Sequence, residues 1–368
     1  MEIAILFGAF ALLLVLGVPV AFSIAAATLA TVVYIGLPPV VVVQQVASGF
    51  NKISLLAIPL FIFAGELMLR GGISERLIAL ASSLVGHLRG GLGQVSVVAS
   101  TLFGGVSGSA LADVSAIGST MIPQMEKRGF SKDYAVDVTI SAALVALLLP
   151  PSHNLILFSA IAGGGVSIAD LFAAGIVPAL LLAFGVMAAA YFLARARGYP
   201  TELFPGFGQV GVRLIAAIPG LLLVLVIFGG IRAGIFTAVE SAAVAVIYAL
   251  IVTALVYRGL GWKRFADAVA HAARSSGTVL FVIGAAGAFG WLMAYLQIPT
   301  AAAEFLQSVT NDRNVALLMM LVLLLILGTF MDLAPMIIIC TPIFLPVARA
   351  YGIDPLHFGV VLVLAAGI

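Results

Sequence analysis

Ser107-Gly108-Ser109 places two hydroxyls around a glycine inside an otherwise apolar stretch. Glycine permits unusual backbone angles, and hydroxyl and freed carbonyl oxygens are the ligands a hard cation takes. Gly and Ser also pack membrane helices closely, which is the competing use of the same triplet. A second cluster reads Leu149-Pro150-Pro151-Ser152-His153-Asn154. Two prolines delete two amide donors, so a helix must break there and free upstream carbonyls. The half-helix resuming at Ser152 would turn its positive dipole end, with Ser152, His153 and Asn154, toward an anion. His153 can donate to a carboxylate there, or to a neighbouring carbonyl. Asp113, Glu240 and Asp332 lie in apolar surroundings, with Glu66 and Asp137 nearer run ends. Acids in lipid are functional candidates by default, because burying them is expensive. Asp113 therefore joins Ser152, His153 and Asn154 as a candidate substrate-binding residue. Two membrane aspartates could also form an intramembrane aspartyl protease dyad. Leu111-Ala112-Asp113-Val114 and Phe330-Met331-Asp332-Leu333 share no Gly-flanked motif, which argues against it.

Such groups stand out because the chain holds so few. Of 368 residues, 63% are hydrophobic and 9% charged, against roughly 25% charged in ordinary soluble domains. No soluble fold of this length buries so much apolar side chain. Soluble enzymes, disordered tails and nucleic-acid binders are excluded, leaving an all-α polytopic membrane protein. The runs are continuously apolar, without the alternation of a barrel strand. A net charge of +2 recruits no nucleic acid, and the single cysteine, Cys340, leaves no disulfide. A passive channel would need a wider polar lining than these charges supply.

Apolar runs at 3–35, 53–69, 134–149, 171–194, 214–230, 235–257, 276–296 and 314–330 are candidate crossings or parts of one. The first is too long and wrongly flanked for a cleaved signal peptide, so it reads as a first span. Residues 73–88 put Ile73, Leu77, Leu80, Ala81, Leu84, Val85 and Leu88 on one helical face and are expected to lie in the interface plane. Arg195, Arg197, Arg213, Arg258, Lys263 and Arg264 fall on one side of the 214–257 hairpin, which the positive-inside rule makes cytoplasmic.

An internal repeat organises these elements. Gly105 and Gly328, Pro123 and Pro346, and Gly129 and Gly352 are each 223 positions apart. A looser match pairs the segments starting at Gly17 and Gly234, 217 apart. Five crossings between the prolines give the copies opposite polarity, and inverted repeats with a site at their interface mark secondary transporters. Residues 1–223 and 224–368 are the expected copies. The Gly-, Ser- and Pro-interrupted runs at 95–123 and 318–346 are expected to enter and return as helical hairpins.

The residues carrying a family likeness run along the whole chain. They are Ile58-Pro59-Leu60-Phe61 with Gly65 and Glu66, Ser107-Gly108-Ser109-Ala110 with Ala112 and Gly118, and Ile122-Pro123. Pro150-Pro151-Ser152, Leu171-Phe172, Ala174-Gly175-Ile176, Gly234 to Thr237, Glu240, Gly328, Asp332 and Gly352 to Gly359 continue the series. In this order they resemble the large membrane (M) subunit of tripartite ATP-independent periplasmic (TRAP) transporters. The resemblance implies an elevator-type fold of the ion-transporter superfamily, with two hairpins and two broken helices in a mobile domain and arm helices, the first at 73–88, in a scaffold. It implies no enzyme and no catalytic residues. The expected activity is Na+-coupled uptake of a small organic anion (sialic acid, sugar acid or dicarboxylate) across the bacterial inner membrane. A periplasmic substrate-binding protein (P) would deliver it, and a small four-span membrane subunit (Q), a separate chain, would enlarge the scaffold in the lipid bilayer. A stand-alone sodium/carboxylate symporter of the same superfamily is the alternative. Carried across, Ser107, Gly108 and Ser109 with Pro150 and Pro151 resemble one sodium site, and Gly328 and Asp332 of the second hairpin are further candidate sodium-binding residues. Phe236-Thr237-Ala238-Val239-Glu240 departs from the family's Phe-Thr-Pro-Thr-Glu. Ser152-His153-Asn154 is closer to the sialic-acid and sugar-acid branch. By the repeat, the second helix break is expected beyond Ile368.

Overall fold

The computed structural model describes residues 1–107, 110–163, 165–201 and 203–368, without the side chains of 106 and 107. In chain order the helices are α1 Glu2–Val15, α2 Val20–Ile35, α3 Val40–Phe50, α4 Ala57–Arg70, α5 Ile73–Val85 and α6 Gly91–Ser107. There follow α7 Ala110–Asp113, α8 Ser119–Lys127, α9 Lys132–Ala143, α10 His153–Ile161, α11 Ile168–Ala196 and α12 Phe207–Arg232. The last are α13 Ala238–Ile251, α14 Trp262–Tyr295, α15 Ile298–Val309, α16 Arg313–Gly328, α17 Leu333–Ala350 and α18 Pro355–Gly367. Among the described residues no strand occurs, and 6 helical stretches are long and apolar enough to cross a membrane.

The first apolar run is two helices. Gly17, at φ +78°, and Pro19 turn the chain between α1 and α2, which pack on each other. At 1.5 Å per residue they measure roughly 21 and 24 Å, short of a ~30 Å hydrocarbon core. The single first span expected at 3–35 is corrected. A glycine that takes positive φ, followed by a proline, outweighs unbroken apolarity. The match to Gly234 is of the same kind: it sits at φ +71° in the turn between α12 and α13.

Two compact units form. One comprises Met1–Leu56, Ile156–Ser167 and Arg274–Ile368; the other comprises Ala57–Leu155 and Ile168–Ala273. Within the first, α16 and α17 form a hairpin whose two arms both pack on α18, and α15 packs on α17. Phe289 of α14 meets Phe7 and Phe10 of α1 at ring distances of 6.0 and 6.1 Å. Within the second, the arms α6 and α8 both pack on α9, and α4 packs on α13. A hairpin followed by a helix that receives both arms thus occurs twice.

The helix α5 buries Ile73, Leu77, Leu80 and Ala81, as its periodicity predicts. Its cover is protein: α6 and α12 pack on it, and Ser74 and Ser83 are buried while Leu84 is exposed. Gly220 of α12 makes room, since a Cβ there would meet Ile73 Cγ2 at 2.8 Å. The expected interfacial face is in large part a helix–helix contact.

Candidate functional site

The helix break is made by two prolines and repaired by one serine. After α9, a 3-10 turn carries Leu144–Leu147, and helix resumes only at His153. Pro151 has no amide to offer Leu147 O, four residues back. The Ser152 hydroxyl donates to that carbonyl instead, at 2.5 Å, and accepts from Leu155 N at 3.4 Å as a cap for α10. Pro150 deprives Ala146 O of its amide in the same way.

The hairpin arm α6 presses on this break. A Cβ on Gly104 would stand 2.6 Å from Ala146 Cα, and one on Gly105 would stand 3.5 Å from Pro150 O. Gly104→Val is therefore expected to lower the unfolding midpoint in detergent by several degrees, since overpacking costs about 1–3 kcal/mol. An unchanged midpoint would show that the arm does not bear on the break.

Across the hairpin, α7 ends at Asp113, and a π-helical turn, Val114–Gly118, follows at once. Such widened turns recur at functional sites. Asp113 is fully buried, and among the described residues neither carboxyl oxygen has a hydrogen-bond partner. Ser100 of α6, also fully buried, lies close enough to interact with that carboxyl, yet its hydroxyl completes no well-aligned bond either. In α10, Asn154 is buried, and its Oδ1 has no partner among the described residues. Buried polar atoms nearly always find partners. These oxygens await one, and carboxyl, hydroxyl and amide oxygens are hard donors suited to a small cation or to a ligand's hydroxyl.

The predicted residues divide accordingly. Of Pro150, Pro151 and Ser152, Pro150 is the one brought to hairpin arm α6, its carbonyl oxygen 3.5 Å from where a Cβ on Gly105 would stand. Gly108 and Ser109 lie outside the described residues, and of Ser107 only its place at the end of α6 is described. The Ser152 hydroxyl is committed to the main chain, and His153 is engaged within the protein. Gly328 and Asp332 flank the turn between α16 and α17, where exposed Asp332 caps α17 by accepting from Leu333 N at 2.8 Å.

Glu240 has a different role from the one its apolar setting suggests. It is exposed and forms a capping box with Thr237, its carboxylate accepting from Thr237 N at 2.8 Å. Glu66 is engaged on both oxygens, by Arg70 Nε at 3.0 Å and His271 Nδ1 at 2.9 Å. Sequence reasoning missed Ser100. The signal was its place four residues before Gly104, on the face of α6 that also carries Ser96.

Comparison with known proteins places this architecture. Residues 7–368 match the family described as the tripartite ATP-independent periplasmic transporter, DctM component. The chain belongs to the DctM family. The isethionate TRAP transporter permease protein DctMQ of Oleidesulfovibrio alaskensis is 38% identical over 98% of this chain and 57% of that protein. The sialic acid TRAP transporter large permease protein SiaM of Vibrio cholerae is 36% identical over 96% of this chain and 82% of that one. Among solved structures, the Alcanivorax borkumensis YdaH transporter, of unusual topology, shares the fold at a TM-score of 0.56 and 15% identity, over 88% of this chain and 75% of that one. As a DctM member the chain is a multi-pass bacterial inner-membrane protein and the permease component of a three-part, ATP-independent transporter.

Proposed function

We infer that this chain is the permease of a sodium-coupled secondary importer for a small organic anion, working by an elevator movement. A small four-helix membrane subunit assembles with it, and a periplasmic binding protein delivers the substrate. The observation that carries the reading is the fully buried Asp113 carboxyl beside Ser100, without a hydrogen-bond partner among the described residues, in a hairpin whose arm packs on a broken helix. Oxygen donors without partners, at a place where two prolines free main-chain carbonyls, suit a small hard cation taken up as cargo. Asp113, Ser100 and the carbonyl of Ala146 are the residues that would hold it, with the Ser107-Gly108-Ser109 tip as the further contributor. Asn154 is left for the substrate. The substrates named for the relatives, sialic acid and isethionate, are both organic anions. The test is uptake of labelled organic anions into proteoliposomes holding the chain with its small subunit and binding protein. Uptake should require an inward sodium gradient. Uptake indifferent to sodium sinks the coupling, and uptake that persists without the binding protein favours a stand-alone symporter.

A further inference from the structure

One cavity lies wholly within the unit made of Met1–Leu56, Ile156–Ser167 and Arg274–Ile368. Its volume is about 210 Å³, and Lys52, Ala160, Gly287, Gly290, Ile338 and Pro342 are among the residues that line it. That is room for roughly seven waters' worth of ligand. The Lys52 ammonium donates to Ala160 O at 3.0 Å, across 108 positions of sequence, at the C-terminal end of α10. Among the described residues no carboxylate pairs with it, so two of its three N–H groups remain to be used. The part of the lining that α17 supplies is unusual for a helix. Pro342 and Pro346 stand four apart in α17, so the carbonyls of Ile338 and Pro342 both lose the amides that would serve them. Both residues line the cavity. The lining therefore offers both a cation and acceptors among glycine and aliphatic side chain.

We propose that this cavity binds a small hydroxylated organic acid, its anionic head on Lys52 Nζ and its hydroxyl donating to the carbonyl oxygen of Ile338 or Pro342. An ammonium alone would take any anion. Acceptors deprived of their amides add a demand for a hydroxyl, and a site built to hydrogen-bond a hydroxyl rejects the analogue lacking it far more strongly than it rejects a change in bulk. The proposal rests on the organic-anion reading above and sharpens it to a subclass and a selecting residue.

The experiment titrates the full chain in detergent with lactate, propionate, 2-hydroxyethanesulfonate and ethanesulfonate, by calorimetry. Each hydroxy acid should bind at least tenfold more tightly than its deoxy partner, and the carboxylate and sulfonate arms tell which head the site prefers. Lys52→Met should remove binding, and Lys52→Arg should restore part of it. Gly290→Leu should also remove it by filling the space, since a Cβ there meets nothing closer than Pro342 Cγ at 3.9 Å and the fold can accept it. Wild-type affinity in Lys52→Met or Gly290→Leu, or no binding of any of the four acids to the unaltered chain, overturns the site. Equal affinity for hydroxy and deoxy acids overturns the role of the carbonyls. The transport reading fails separately, if proteoliposomes with all partners take up no organic anion.

Discussion

Asp113→Asn is expected to reduce transport at least tenfold while leaving the protein as stable as the parent or more so. The two halves of that result have one cause. A carboxyl group with no donor on either oxygen among the described residues, at complete burial, is among the costliest placements a side chain can have. Exchanging it for an isosteric amide removes that cost, and the new NH2 can donate to the waiting Ser100 hydroxyl. A single unmet buried group costs about 1–3 kcal/mol, more when charged, so the unfolding midpoint in detergent should hold or rise by a few degrees. A residue kept for structure would behave in the opposite way, its loss lowering the midpoint. Stability gained with activity lost is the signature of strain retained at a working site. The check is uptake into proteoliposomes set beside a melting curve of the same preparation. A variant that melts earlier and transports at the parental rate would assign Asp113 to packing. Asp113→Leu serves as the harsher control, keeping the apolar volume and removing every oxygen.

Much of the architecture was legible because covalent facts survive into the fold. Pro150 and Pro151 have no amide hydrogens in any conformation, and the break falls where they stand. Gly17 and Gly234 share a turn because both can take positive φ, so a pair matched only loosely in sequence matches well in backbone. The hairpins were readable for the same reason, from glycines and prolines at a common spacing. Apolarity by itself was a poorer guide. It merged α1 and α2 into one span, and it cast Glu240 as a buried acid although Thr237, three residues earlier, spells out a cap. The contacts that close the site depend on which helix face meets which, and composition does not carry that. Nothing near Glu66 in the sequence announces His271, and nothing near Asp113 announces Ser100. Serines were the least readable of all. Ser152 and Ser100 look alike as isolated hydroxyls in apolar surroundings, yet one repairs the main chain and the other completes no well-aligned bond among the described residues.

That difference makes Pro151 and Ser152 a pair whose effects should not add. Ser152→Ala alone leaves Leu147 O without a donor and Leu155 N without its cap, at complete burial. The expected cost is about 1–3 kcal/mol, seen as a lower unfolding midpoint. Pro151→Ala returns an amide at the position that serves Leu147 O in an unbroken helix. In that background the serine hydroxyl is no longer the carbonyl's sole donor, so Ser152→Ala should cost much less than it does alone. The coupling measured by the four-protein cycle should approach the value of the replaced hydrogen bond, about 1 kcal/mol. Transport should move the other way. Pro151→Ala draws helix through the break, and should reduce uptake at least tenfold with membrane insertion unchanged. The double variant should then be stable and inactive, because stability follows whether Leu147 O has any donor, whereas activity follows whether the break exists. Additive melting effects would mean that Ser152 does not substitute for the missing amide. Parental uptake in Pro151→Ala would mean that the break is a packing feature alone.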